Sequence, residues 1–274
     1  MTSATADQHK AILRETFDAA SAGYDGKPLR HFVESAKHLA ALLDPRGDEH
    51  VLDVATGTGH TAFAIAELLP RGKVTGIDMS PGMLGRARQK AISGSVANVE
   101  FVQMDMQELS FPPETFDAAT CAFGIFFVDD MDAQLARIAT TVKPGGRVAI
   151  SCFHESYFLP QRELMMKRVQ AYGIQIPPQS WKRISTEAGC RDLFARAGLE
   201  DVRVEQKNVG YQLGSAEDWW EIVWNAGYRR MMSRLSPPDL ERFKKEHLQE
   251  IEALRTEEGI RLDIEVLFTS GKRA

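Results

Sequence analysis

Between residues 51 and 151, short apolar runs alternate with stretches long enough to form a helix, and this alternation constrains the fold more than any other feature of the chain. Val51-Leu52-Asp53-Val54 reads as a buried strand, followed by a glycine turn and a helix from about His60 to Leu69. Val74 to Asp78 reads as a second strand. It ends at Ser80-Pro81-Gly82, which can start a helix because proline is tolerated at the first helical position. Val99 to Val102 reads as the third strand and Phe116 to Cys121 as the fourth. A helix over Met131 to Val142, capped in this reading by Asp129, leads through Lys143-Pro144-Gly145-Gly146 into a fifth strand, Arg147 to Ser151. Strands spaced by helices pair in parallel through right-handed crossovers, so the pattern predicts an α/β fold around a parallel sheet.

Beyond residue 151 the rhythm loosens. Cys152 to about Pro178 reads as loop and helix over the sheet, with the helix at Leu164 to Tyr172. A helix near Ser185 to Ala197, closing at Gly198, is followed by a strand over 201–209. Residues 215–256 read as helical with a break at Ser236-Pro237-Pro238, and Ile264 to Phe268 as a late strand. No internal repeat or linker interrupts the sequence. The expectation is one domain over 1–274: a core at 12–151, helical elaborations at 152–182 and 215–258, and late strands at 201–209 and 262–270.

Charge and cysteine usage narrow the functional classes. A net charge of -5 supplies no basic footprint for phosphates, which disfavours a nucleic-acid substrate. Cys121, Cys152 and Cys190 are scattered and make no zinc or disulfide pattern, which fits a reducing cytoplasm. The polar stretch Met1 to Lys10 is no signal peptide, and no apolar run approaches the roughly 18–20 residues of a membrane span. A cytoplasmic protein is expected.

The turn Ala55-Thr56-Gly57-Thr58-Gly59 follows the first strand directly. Glycines there let the backbone approach a ligand closely, and the helix behind presents unpaired N–H groups. Asp78 comes 19 residues after Gly59, at the end of the second strand, where a carboxylate can accept hydrogen bonds from both ribose hydroxyls. These features alone also suit a nicotinamide dinucleotide. That reading needs a third glycine, however, and the helix positions that would hold it are Thr61 and Ala62.

Four stretches carry a family likeness: Phe17 to Asp25, Val51 to Gly59, Ala122 to Asp130, and Val142-Lys143-Pro144-Gly145-Gly146. On them the chain resembles the class I S-adenosylmethionine-dependent methyltransferases, and most of all the branch of ubiquinone and menaquinone biosynthesis C-methyltransferases. The likeness covers roughly residues 12–151. It implies a Rossmann-like fold with a seven-stranded, mostly parallel sheet, an antiparallel last strand and a helical cover. It implies S-adenosylmethionine as cofactor, with Tyr24 near its methionine end. Asp53 and the backbone of Ala55, Gly57 and Gly59 would meet the amino and carboxylate groups, and Asp78 the ribose. Met79, Asp105 and Met106 would surround the adenine, with Ala122 at the end of the fourth strand. Two departures stand out. Ala55 replaces the first glycine of the usual turn, and Phe126-Phe127 stands where the quinone enzymes carry an Arg-Asn pair, so the acceptor is expected to be apolar or aromatic.

Methyl transfer from a sulfonium is an in-line displacement that needs positioning and desolvation and no protein nucleophile. A base is needed only where the acceptor carries a proton, and His154, just beyond the fifth strand, is the candidate, ahead of Glu155 and Asp129. Trp220, Trp224 and Tyr228, at four-residue spacing, form an aromatic stripe that serves either as core or as an acceptor wall. Exposed aromatic helices would also support a homodimer. An alternative keeps the fold and cofactor but uses the sulfonium for cyclisation or decarboxylation, or makes the chain a non-catalytic partner.

Overall fold

The strand His50–Val54 (β1) is apolar on both faces from Val51 on except at Asp53, as a strand must be when neighbours pair on both sides and helices cover it. In the computed structural model, which describes residues 3–176 and 179–274, β1 pairs in parallel with Lys73–Asp78 (β2) and Phe116–Ala122 (β4). Val99–Gln103 (β3) extends the sheet beyond β2, and Val142–Phe153 (β5) beyond β4. The sheet order is β3-β2-β1-β4-β5-β9-β6, with Leu199–Asn208 (β6) and Glu265–Arg273 (β9) as the late strands. β9 runs antiparallel between β5 and β6, pairing Thr269 with Ile150 on one side and Val204 on the other. The expected seven-stranded, mostly parallel sheet is therefore present.

The contacts divide the chain into two compact units. The sheet unit comprises residues 32–155, 179–208 and 265–274. Its helices are α2 (His31–Leu43), which begins at the boundary, α3 (His60–Ala66), α4 (Pro81–Ser93), α5 (Met131–Thr141) and α7 (Glu187–Arg196), the chain's seventh helix. Ser80 caps α4 by accepting from the Met83 N–H at 3.1 Å. α5 is capped by Asp130, not the expected Asp129: the Asp130 carboxylate accepts the Ala133 N–H at 2.9 Å, whereas residue 129 lies one position too early to reach it. β5 starts earlier than expected. Lys143-Pro144-Gly145-Gly146 lies inside the strand, and a register shift against β4 between Phe116 and Ala118 absorbs the irregularity.

The helical unit comprises residues 1–31, 156–178 and 209–264, of which 1, 2, 177 and 178 lie outside the described residues, as does the Pro178 end of the predicted loop. It contains α1 (Ser3–Ala20), α6 (Gln161–Ala171), α8 (Ala216–Trp224), α9 (Arg229–Met232) and α10 (Pro237–Glu252). The helical run expected over 215–256 is broken a second time, at residues 225–228, so the aromatic stripe does not continue. Trp220 and Trp224 stack at 6.2 Å within α8, but Tyr228 lies beyond its end and pairs its hydroxyl with that of Tyr157 at 2.8 Å. A two-stranded antiparallel sheet, Tyr211–Leu213 (β7) with Ile260–Leu262 (β8), was not expected; its strands are too short to show a period. The unit's core centres on the fully buried Trp219 and His247. The indole N–H donates to Nε2 of His247 at 2.8 Å, and Nδ1 of His247 lies 3.1 Å from Glu250. Arg168 binds both Glu250 and Glu246, tying α6 to α10. No described helix is long and apolar enough to cross a membrane.

Candidate cofactor site

At the carboxyl ends of β1, β2 and β4 the sheet unit gathers a set of carboxylates and strained backbone. Asp53 is fully buried. The Thr56 hydroxyl donates to one of its oxygens at 2.5 Å and the Thr120 hydroxyl to the other at 2.7 Å. Burial pushes the Asp53 carboxyl up to about 6, against the opposing pull of both hydroxyls and the Ala62 backbone N–H. Thr120 is the register partner of Asp53 on β4, so strand pairing itself makes this clamp. The clamp was not legible in the sequence, where Thr120 appears only as one more residue of an apolar run.

The turn between β1 and α3 holds three residues at positive φ: Ala55 at 54°, Gly57 at 55° and Gly59 at 88°. A side chain at Gly59 would meet the Phe63 ring at 2.8 Å, so this position needs glycine for space as well as for conformation. At Gly57 a side chain would meet only open space. Ala55 carries the cost of an alanine in the left-handed region, and its methyl group is accommodated by Gly124, where an added Cβ would lie 2.7 Å from that of Ala55. The missing first glycine of the turn is thus matched by a glycine beyond β4.

Asp78 is fixed by the same turn. One oxygen accepts the Gly57 N–H at 2.9 Å and the other accepts the Ser80 N–H at 2.9 Å. A carboxylate oxygen can accept more than one hydrogen bond. Met79, half-buried, follows directly, and its carbonyl accepts from Gln103 at 3.3 Å. After β3, Asp105 caps the 3-10 turn Met106–Glu108 by accepting the Gln107 N–H at 2.8 Å, and the Met106 carbonyl accepts from Gln134 of α5 at 2.7 Å. Ala122 is half-buried at the end of β4. β1, β2, β4 and the loop after β3 therefore bring Asp53, Ala55, Gly57, Gly59, Asp78, Met79, Asp105, Met106 and Ala122 to one end of the sheet. Tyr24 belongs to the helical unit, where its ring stands edge-on to Phe17 at 6.5 Å.

The model of the methyltransferase domain matches residues 51–146, which hold this turn, β1 to β4 and the start of β5. The chain is 37% identical to the ubiquinone/menaquinone biosynthesis C-methyltransferase UbiE of Pseudomonas putida over 184 residues, 64% of the chain and 70% of that enzyme. The chain belongs to the S-adenosylmethionine-dependent methyltransferases. It is also 32% identical to the aklanonic acid methyltransferase DauC of Streptomyces sp. over 52% of its length, spanning 66% of that enzyme. The crystal structure of the YcgJ protein of Bacillus subtilis shares the fold, with a TM-score of 0.60 and 22% identity over 88% of this chain and 99% of that one.

The residues fit the family's cofactor, S-adenosylmethionine: Gly57 leaves open space over the turn, and the Asp78 carboxylate beside it is a rigid acceptor pair of the kind two ribose hydroxyls require. No group of three or more His, Cys, Asp or Glu residues able to hold a metal ion occurs among the described residues.

Farther along the same end of the sheet, aromatic rings cluster. Phe123 packs against Phe32 at 5.3 Å and Phe153 at 4.6 Å, and Phe126 lies 6.5 Å from Phe153 and 4.9 Å from Phe127. These rings come from α2, the loop after β4 and the end of β5. The Phe126-Phe127 pair stands out in the sequence, whereas Phe32 and Phe123 join it through packing alone. His154 is half-buried just past β5, with its backbone N–H donating to the Glu265 carbonyl at 3.0 Å.

Proposed function

We propose that the chain, acting as a single domain over 1–274, transfers a methyl group from S-adenosylmethionine to a small acceptor with an aromatic or lipophilic body. The observation that carries this reading is the Asp78 carboxylate held between the Gly57 and Ser80 N–H groups beside the open space over the turn. When bound, the cofactor supplies an electrophilic methyl group for in-line displacement. In this reading Asp78 binds the ribose hydroxyls, and the backbone of Ala55, Gly57 and Gly59 receives the methionine end. Asp53 acts from beneath: with both oxygens clamped by threonines, it sets the turn's shape and adds negative charge under a cationic ligand. Met79 and Met106 flank the adenine, Asp105 accepts from its amino group, Ala122 lines the floor, and Tyr24 closes on the methionine end.

The acceptor's character is supported by the Phe123, Phe126, Phe127 and Phe153 cluster and by the relatives' names, which concern aklanonic acid in one case and ubiquinone and menaquinone biosynthesis in the other. His154 takes the acceptor's proton where there is one. The acidic chain does not act on nucleic acid and works in a reducing cytoplasm, where its three cysteines rest as thiols.

The test is turnover with S-adenosylmethionine against a panel of phenolic, quinone-like and aliphatic acceptors, with S-adenosylhomocysteine and methylated product both quantified. Equal yields of the two are expected with aromatic acceptors. Product formed without S-adenosylhomocysteine would instead establish the cyclisation or decarboxylation reading. The His154→Ala variant should turn over at least about tenfold more slowly with proton-bearing acceptors while its cofactor affinity stays unchanged; unchanged turnover removes His154 as the base.

A further inference from the structure

Cys152 and Cys190 are distant in sequence and sit on different elements, β5 and α7, yet their sulfurs lie 3.6 Å apart, both fully buried and both thiols. They share one acceptor: the Ile184 carbonyl lies 3.0 Å from the Cys152 sulfur and 3.3 Å from the Cys190 sulfur. That carbonyl closes the 3-10 turn Ser180–Ile184. The turn is fastened at two further points. The Ser180 hydroxyl donates to the Phe126 carbonyl at 2.6 Å, and the Ser185 carbonyl, next along the chain, accepts the Glu155 N–H at 3.0 Å. The two thiols thus help to hold a turn that bridges the loop after β4 and the loop after β5, which carry Phe126 and His154.

We propose that Cys152 and Cys190 form an oxidisable dithiol that closes to a disulfide under a peroxide, releasing the Ile184 carbonyl and loosening the Ser180–Ile184 turn. In the first step the Cys190 thiolate attacks a peroxide oxygen, the O–O bond breaks, and sulfenic acid and water result. In the second the Cys152 sulfur attacks that sulfenic sulfur, its proton leaves with the displaced hydroxide, and a second water forms. Two thiols are oxidised by two electrons and one hydrogen peroxide becomes two waters. The Cys152 S–H favours the neighbouring thiolate, lowering Cys190 and raising its own thiol. A disulfide needs sulfurs about 2.0 Å apart, so the pair must close by roughly 1.5 Å. Neither sulfur then carries a proton to donate to Ile184.

Cys121 is the internal control. It is equally buried, but its sulfur accepts from the backbone N–H groups of Gly124 and Ile125, and burial together with the Asp53 charge pushes its thiol up.

The experiment treats the full-length protein with hydrogen peroxide, alkylates it after unfolding and maps it without reduction. A peptide linking Cys152 to Cys190, a mass lower by two hydrogens and an alkylated Cys121 are expected. Amide hydrogen exchange over 182–186 should speed up by about tenfold or more in the oxidised protein and return to its starting rate with dithiothreitol. In Cys190→Ser, whose hydroxyl keeps a donor for Ile184, the linked peptide should be absent and exchange should not respond to peroxide. Three alkylatable cysteines after treatment, sulfinic acid without the linked peptide, or a disulfide that leaves exchange over 182–186 unchanged would each overturn the proposal. None of these readouts depends on cofactor or acceptor, so the outcome stands apart from the methyltransferase reading.

Discussion

Each unit of this protein buries an ionisable group that is held by two polar partners, and the two groups are built in opposite ways. In the sheet unit Asp53 is clamped by Thr56, three residues along the same turn, and Thr120, its strand partner. In the helical unit His247 is held between Trp219 of α8 and Glu250 of its own helix, with Arg168 of α6 behind Glu250. The first group lies under the glycine turn, and its partners follow from that turn and from strand register. The second lies among helices and its partners follow from how those helices pack. Buried polar groups can therefore either support a site or give a helical assembly one defined arrangement, and only their surroundings tell which.

The largest expected effect separates them by stability. Trp219→Ala removes the centre of the helical core and the donor to His247, and should cost about 3–5 kcal/mol, read from urea denaturation. A loss below about 1 kcal/mol would mean that the indole–imidazole pair does not organise that core.

The two groups also respond to pH in opposite directions. Asp53 is raised to about 6 from 3.8, so its contribution to stability is greatest below about pH 4 and is lost as pH rises through about 6, a span on the order of 3 kcal/mol. His247 is lowered from 6.5 by burial, so the stability that it contributes is present above about pH 6.5 and is lost as pH falls below that value. Asp53→Asn should therefore leave a stability profile that only declines between pH 7 and pH 4, whereas His247→Gln should leave one that rises over the same interval. Identical profiles for the two variants would break the comparison.

Asp78→Ala sharpens it from the ligand side. On the proposed ribose role the variant should bind S-adenosylmethionine about 1–3 kcal/mol more weakly in titration calorimetry, and loss of the acceptor for the Gly57 and Ser80 N–H groups should cost about 1 kcal/mol in urea denaturation. Smallest is the effect at the turn's backbone: Gly124→Ala should destabilise by about 1–2 kcal/mol because the new methyl group meets that of Ala55 and the Cys121 sulfur, and adding Ala55→Gly should restore the Ala55 share of the loss. Additive effects in that double variant would show that the two residues do not share the space.

How much of this was legible in advance differs between the units for one physical reason. In the sheet unit the local signals agree with the tertiary outcome. Short apolar strands, the Ser80-Pro81 helix start and the glycine turn are all set by the conformational preferences of neighbouring residues, and together they locate Gly57, Gly59 and Asp78. Even there, Asp130 in place of Asp129 as the α5 cap, and β5 running through the Lys143–Gly146 stretch, were decided by hydrogen bonds that pattern alone does not rank. In the helical unit four-residue spacing suggested one aromatic stripe, but α8 ends at Trp224 and Tyr228 turns to Tyr157.

The sequence by itself determined the strand order's raw material, the strained turn and the acid at the end of β2, because those depend on residues close together in the chain. Tertiary structure alone decided that Thr120 faces Asp53, that Gly124 makes room for Ala55, that β9 inserts between β5 and β6, and that two cysteines lie side by side. These pairings join residues tens of positions apart, and only packing and strand register bring them within bonding distance.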